Sequence, residues 1–185
     1  MALGSWAGGV AAILAAVTLL VGVAGLVTRS QRARPWLAVL LGINAGYGDV
    51  YRDSLRTVQP LDVGLLLLAT VSYAGFWPGP GAAHVAWMAL AIAQPLLGIA
   101  VLFATRLWGR SGLMGGGIVL SILLLVDGTW VATGWLGLTA NLLLLTGDLG
   151  TTDRPSRPLA TILVAGYAGL ATWFGWVAAF LLVEG

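Results

Sequence analysis

The chain of 185 residues has no cysteine and no lysine, a single histidine, and charges on only 9% of its residues. Each absence closes a branch of chemistry. Without cysteine there are no disulfides, thiolate metal sites or cysteine nucleophiles. Without lysine no Schiff base to retinal or pyridoxal can form. His84 alone cannot build a two-histidine metal site. It follows the turn Trp77-Pro78-Gly79-Pro80 and reads as a surface residue, so a Ser-His-Asp triad would rest on an interfacial ring. No glycine-rich phosphate loop, dinucleotide fingerprint or basic-aromatic stripe is present. We expect no cofactor, no metal and no nucleic-acid partner.

What the chain has in quantity is apolar surface: 59% hydrophobic residues and a mean hydropathy of +0.95, outside the range of soluble domains. We expect an all-α, polytopic integral membrane helix bundle, one transmembrane domain over 1–185, multi-pass in a cell membrane of the bacterial plasma type. Runs long enough for a hydrocarbon core of about 30 Å occur at Trp6–Val27, Leu61–Trp77, Ala82–Thr105, Gly112–Thr133 and Leu159–Val183. Pro35–Tyr47 and Trp135–Thr146 are shorter and suit a tilted span, a re-entrant segment or an interfacial helix. Five long runs and two short ones give an expected seven transmembrane helices. The first run has no basic residue ahead of it and exceeds a signal-peptide apolar region, so it reads as a retained span.

All positive charge is arginine, in four clusters: Arg29, Arg32 and Arg34; Arg52 and Arg56; Arg106 and Arg110; Arg154 and Arg157. If Pro35–Tyr47 does not cross and Trp135–Thr146 does, every cluster lies on one side with the N-terminus opposite. If both cross, only the first cluster is misplaced. The second arrangement ranks slightly higher, because the tails of the two short runs resemble each other. Gly48-Asp49-Val50-Tyr51-Arg52-Asp53 leads to Pro60-Leu61, and Gly147-Asp148-Leu149 leads to Pro158-Leu159, the pattern of a weak internal duplication.

Trp6, Trp36, Trp77, Trp108 and Trp135 sit at span ends, as an interfacial belt requires. Trp87, Trp130, Trp173 and Trp176 lie further in, with Tyr47, Tyr51, Tyr73 and Tyr167 near or within spans. Their π faces can pack, or stabilise a cation in an apolar cavity. Gly22-x-x-Gly25, Gly42-x-x-x-Gly46 and Gly112-x-x-x-Gly116 read as packing surfaces. Pro95 frees a carbonyl one turn back beside the Gln94 amide, which suits a kink or one wall of a polar pocket.

The polar groups left in apolar runs are Asn44, Asp49, Asp62, Gln94, Asp127 and Asn141. Asn44, Tyr47 and Tyr51 share one helical face. Asp62, just past Pro60, fits a first-turn carboxylate favoured by the helix dipole. Asp127 is the only ionisable side chain between Arg110 and Asp148, and a carboxylate in such surroundings is a functional candidate by default. In a helix over Gly112–Thr133 it would sit about 6 Å from the middle. If the chain turns at Gly128, it marks a hairpin tip instead.

Three patches resemble the transmembrane meroterpenoid and indole-diterpene cyclases. Asn44-Ala45-Gly46-Tyr47-Gly48-Asp49-Val50-Tyr51 looks like that family's second-helix motif, in which an Asn precedes an aromatic, an acid and a Tyr. Val126-Asp127-Gly128-Thr129-Trp130 resembles its Val-Asp-Gly-x-aromatic segment, and Ala91-Ile92-x-Gln94-x-Leu96-Leu97 is similar to an intervening helix. The resemblance implies acid-initiated cyclisation of a lipophilic, isoprenoid-type substrate, with Asp127 and Asp49 catalytic. Asn44, Tyr47, Tyr51, Gln94, Trp87, Trp130 and Trp173 would then bind substrate. An apolar setting keeps an aspartate protonated, as a general acid must be. Two other classes stay open: a small-solute or proton-coupled transporter or channel, and a structural membrane subunit whose polar residues lock helices together.

Overall fold

Long apolar runs with few breakers form helices because the bilayer offers no other way to satisfy the backbone. The computed structural model describes residues 3–28, 48–77, 82–105, 111–128, 130–149 and 157–184. These hold six helices and no strand: α1 Leu3–Thr28, α2 Gly48–Ala74, α3 Ala82–Thr105, α4 Ser111–Asp127, α5 Val131–Leu149 and α6 Arg157–Val183. The stretches Leu3–Ala24, His84–Ala104 and Thr161–Val183 are long and apolar enough to cross a membrane. Shorter apolar helices run over Pro60–Ala74, Ser111–Asp127 and Val131–Gly147.

Two boundaries differ from the sequence reading. Gly128 adopts φ 69°, the left-handed conformation that ends a helix at little cost only for glycine. The expected span Gly112–Thr133 is therefore cut at Asp127, and its tail joins the short run Trp135–Thr146 in a full helix, α5. At about 28 Å for 19 residues, α5 comes near the thickness of a hydrocarbon core, although its apolar stretch, Val131–Gly147, is shorter. In α2, Pro60 lies inside the helix. It removes one backbone bond without ending the helix, so α2 starts at Gly48, well before the expected Leu61.

Close glycine contacts set the helix directions. Gly8 of α1 meets Gly75 just past α2, and Gly9 meets Leu182 of α6. Gly112 and Gly116 of α4 pack on Gln94, Gly98, Ala91 and Pro95 of α3, so the Gly112-x-x-x-Gly116 pair is a packing seam over the proline segment. Gly117 meets Asn141 of α5, and Gly147 of α5 meets Leu163 of α6. Consecutive helices are thus antiparallel, and α6 packs back on α1 to close a ring in the order α1-α2-α3-α4-α5-α6.

Antiparallel α1 and α2 place Thr28 and Gly48 at the same end, and six of the expected seven helices stand among the described residues. Pro35–Tyr47 itself lies outside the described residues. The backbones of Arg52, Arg56 and Arg157 lie in helix turns at this end, and the helix ends that flank the other arginines, Thr28, Gly48, Thr105, Ser111, Leu149 and Arg157, are there too. The duplicated tails also differ in structure, since Gly48–Pro60 is helix within α2 while Gly147-Asp148-Leu149 closes α5.

The ring buries small and aliphatic side chains such as Ala12, Ala15, Leu19, Leu66, Ala69 and Leu170. Its outside is equally apolar: Leu14, Val17, Leu67, Leu90, Leu97 and Phe103 are exposed. Helices apolar on both faces suit a lipid surround.

Candidate functional site

The carboxylate buried within the ring is Asp62, not Asp127. Asp62 lies within α2, roughly 21 Å along the helix from Gly48 and roughly 18 Å from Ala74 at 1.5 Å per residue. It is 1% exposed. Asp62, Leu66, Ala69 and Tyr73 recur at helical spacing and are all buried, whereas Leu67 and Val71 on the other face are exposed. An acid on the inner stripe of an apolar helix bundle is a functional candidate. The first-turn assignment made from sequence fails because Pro60 does not start the helix.

Tyr73, at the far end of that stripe, belongs to an enclosed aromatic group. Its ring lies edge-on to Trp173 at 5.9 Å and stacks on Phe174 at 6.2 Å, and Trp173 and Phe174 are 5.1 Å apart. All three are fully buried. Around them α4 and α5 contribute paired polar groups: Ser121 Oγ donates to the Gly117 carbonyl at 2.6 Å, and Asn141 Nδ2 to the Gly137 carbonyl at 2.8 Å. Tyr73 Oη, Trp173 Nε1, Asn141 Oδ1, Ser72 Oγ and Thr133 Oγ1 are buried without a hydrogen-bond partner among the described residues. Satisfied polar atoms are the rule in protein interiors, so a concentration of exceptions needs a cause.

A second polar group caps the arginine-free end. His84 Nδ1 lies 3.5 Å from Asp127 Oδ2, with the two side chains 13% and 40% exposed. Beside them Trp130 Nε1 donates to Glu184 Oε2 at 3.4 Å, and Phe180 packs edge-on to Trp130 and stacks on Phe76. Asp127 therefore marks the hairpin tip, the second of the two placements open to it, and His84 is mostly covered instead of a free surface residue.

The other predicted site residues are scattered. Trp173 is in the enclosed aromatic group and Trp130 in the end cap. Trp87 is 45% exposed on the outer face of α3, as is Trp176 at 42% on α6. Gln94 lies across α4 with its amide against Gly115. The backbone at Asp49 and Tyr51 is in the first turns of α2, at the arginine end, so Asp49 and Asp127 stand at opposite ends of the ring; the side chains of Asp49 and Tyr51, and Asn44 and Tyr47 entirely, lie outside the described residues. Asp62 and Tyr73 are not among the site residues the sequence suggests, and the spacing Asp62-Leu66-Ala69-Tyr73 becomes visible once α2 continues through Pro60. Set against protein-family models, curated proteins and solved structures, the chain finds no match in any of the three.

Proposed function

We propose that the protein is a small proton-coupled membrane carrier with Asp62 as its coupling carboxylate. The observation behind this reading is the 1% exposure of Asp62 on the inner face of a helix in a closed ring. A carboxylate in such a place changes its charge by taking up or releasing a proton, and that change biases a bundle between conformations open to either side. The orphaned hydroxyls of Tyr73 and Ser72 are groups that a passing polar solute can use. By the arginine bias the arginine end is cytoplasmic in a multi-pass plasma-membrane protein.

The test is flux in proteoliposomes loaded with a pH-sensitive dye and challenged with a panel of small solutes. We expect solute-dependent proton movement with the wild type, its loss in Asp62→Asn, and its retention in Asp127→Asn. Equal flux through wild type and Asp62→Asn, or no flux with any solute, would refute the carrier.

The enclosure of Tyr73, Trp173 and Phe174 favours a second reading, cyclisation of an isoprenoid, with Asp62 in place of Asp127 as the acid. Cyclisation needs an acid and aromatic faces shut away from water, and Asp127 at 40% exposure lacks that enclosure. Asp62 and Tyr73 are roughly 16 Å apart along α2, so the substrate would have to be an extended prenyl chain. Membranes with wild type and Asp62→Asn, incubated with linear prenyl substrates and their epoxides, distinguish this reading by a cyclic product that only the wild type makes.

A further inference from the structure

We propose that Asn141, Ser121 and Trp173 together hold one buried water molecule between α4, α5 and α6. Helices α4 and α5 approach closely because two of the facing positions are glycine. A Cβ at Gly117 would stand 2.6 Å from both polar atoms of the Asn141 amide, and a Cβ at Gly137 would overlap Ser121 Oγ and Trp173 Nε1. The hydroxyl and the indole NH therefore crowd the same point in front of Gly137.

Asn141 sits one turn further along α5, but side chains lean towards the N-terminus of their own helix. In antiparallel helices that lean carries Asn141 and Ser121 towards each other. Their hydrogen bonds show it directly, since each donates to the carbonyl four residues earlier.

The unmet needs of the three groups are complementary. Trp173 Nε1 can only donate and has no acceptor among the described residues. Asn141 Oδ1 can only accept and has no donor among the described residues. Ser121 has committed its proton to Gly117 and keeps its lone pairs. The indole and the amide oxygen do not bond each other, so the bridge must itself accept and donate. A cation would suit Asn141 Oδ1 but oppose the indole NH, and an anion would do the reverse. A neutral water accepts from Trp173 and donates to Asn141 and Ser121, giving the three bonds usual for a buried water. All three side chains are buried to 0% exposure, so exchange with bulk solvent is restricted.

The experiment is magnetisation transfer from water to the indole NH groups of protein labelled with ¹⁵N-tryptophan in lipid nanodiscs. Trp173→Phe identifies the Trp173 signal among those of the nine tryptophans. We expect that signal to receive magnetisation from water at short mixing times despite its burial, and to lose the transfer in Asn141→Leu, which keeps the volume and removes the acceptor. No transfer to Trp173 in the wild type would overturn the proposal, whether or not the variant folds. Transfer that persists in Asn141→Leu would overturn it as well, because Asn141 would then not be a holder of the water.

Discussion

His84 Nδ1 and Asp127 Oδ2, 3.5 Å apart, join the first turn of α3 to the last residue of α4 at the arginine-free end of the ring. Asp127 ends its helix, where the macrodipole disfavours negative charge. The contact with His84 ties together two helices that already pack through Gly112 and Gly116.

Because Asp127 is 40% exposed, solvent screens the pair and its contribution is small. Asp127→Asn and His84→Ala should each lower stability by less than about 1 kcal/mol, with the double variant no worse than the sum of the two. Unfolding in mixed detergent micelles measures this. A loss of several kcal/mol from Asp127→Asn would mean that the pair anchors the fold.

The close glycine contacts differ in what a methyl group would strike. At Gly112 it meets backbone, the Gln94 carbonyl and Gly98, which cannot give way. At Gly9 it meets the flexible end of Leu182, and at Gly64 it meets nothing within 4 Å. Gly112→Ala should therefore cost about 1–3 kcal/mol and Gly9→Ala less, although the Leu182 contact at 2.6 Å is among the shorter ones. Gly64→Ala should gain up to about 1 kcal/mol of helix propensity. The same unfolding assay ranks the three, and Gly9→Ala costing more than Gly112→Ala would contradict the packing described.

The alternating helices make a topological prediction that a chain without cysteine tests cleanly. Val126, 77% exposed at the end of α4, and Thr105, the last residue of α3 and the neighbour of Arg106 in sequence, belong to opposite ends of the ring. Val126→Cys should react with an impermeant maleimide from outside intact cells, and Arg106→Cys only after permeabilisation. Labelling of both from the same side would mean that α4 does not run from one side of the membrane to the other.

Helix positions were legible wherever apolar run and helix coincide, as for Ala82–Thr105, whose bounds are those expected. Hydropathy fails where polarity and backbone conformation separate. The stretch from Gly48 to Gln59 is polar yet helical, because a helix can continue past the hydrocarbon, so Asp62 read as the start of a span when it is interior. Gly128 failed the other way, since a single left-handed residue inside an apolar run leaves hydropathy unchanged while reversing the chain. These two errors exchanged the placements of Asp62 and Asp127, the first being interior and the second at a helix end. The pairing of His84 with Asp127 links residues far apart in sequence, and no local spacing signals it.

Tyr73 separates a structural role from a functional one. Its hydroxyl is buried and has no partner among the described residues, while its ring packs on Trp173 and Phe174. Removing an orphaned hydroxyl and keeping the ring should leave stability unchanged or raise it by about 1 kcal/mol in Tyr73→Phe. Trp173→Ala, which empties the centre of the same group, should cost about 3–5 kcal/mol. If the hydroxyl binds the transported solute, Tyr73→Phe also weakens solute-dependent proton flux in proteoliposomes, and it does so by raising the half-saturating solute concentration. Loss of flux without loss of stability is a combination that packing alone does not produce, whereas full flux with unchanged solute dependence would remove Tyr73 from the site.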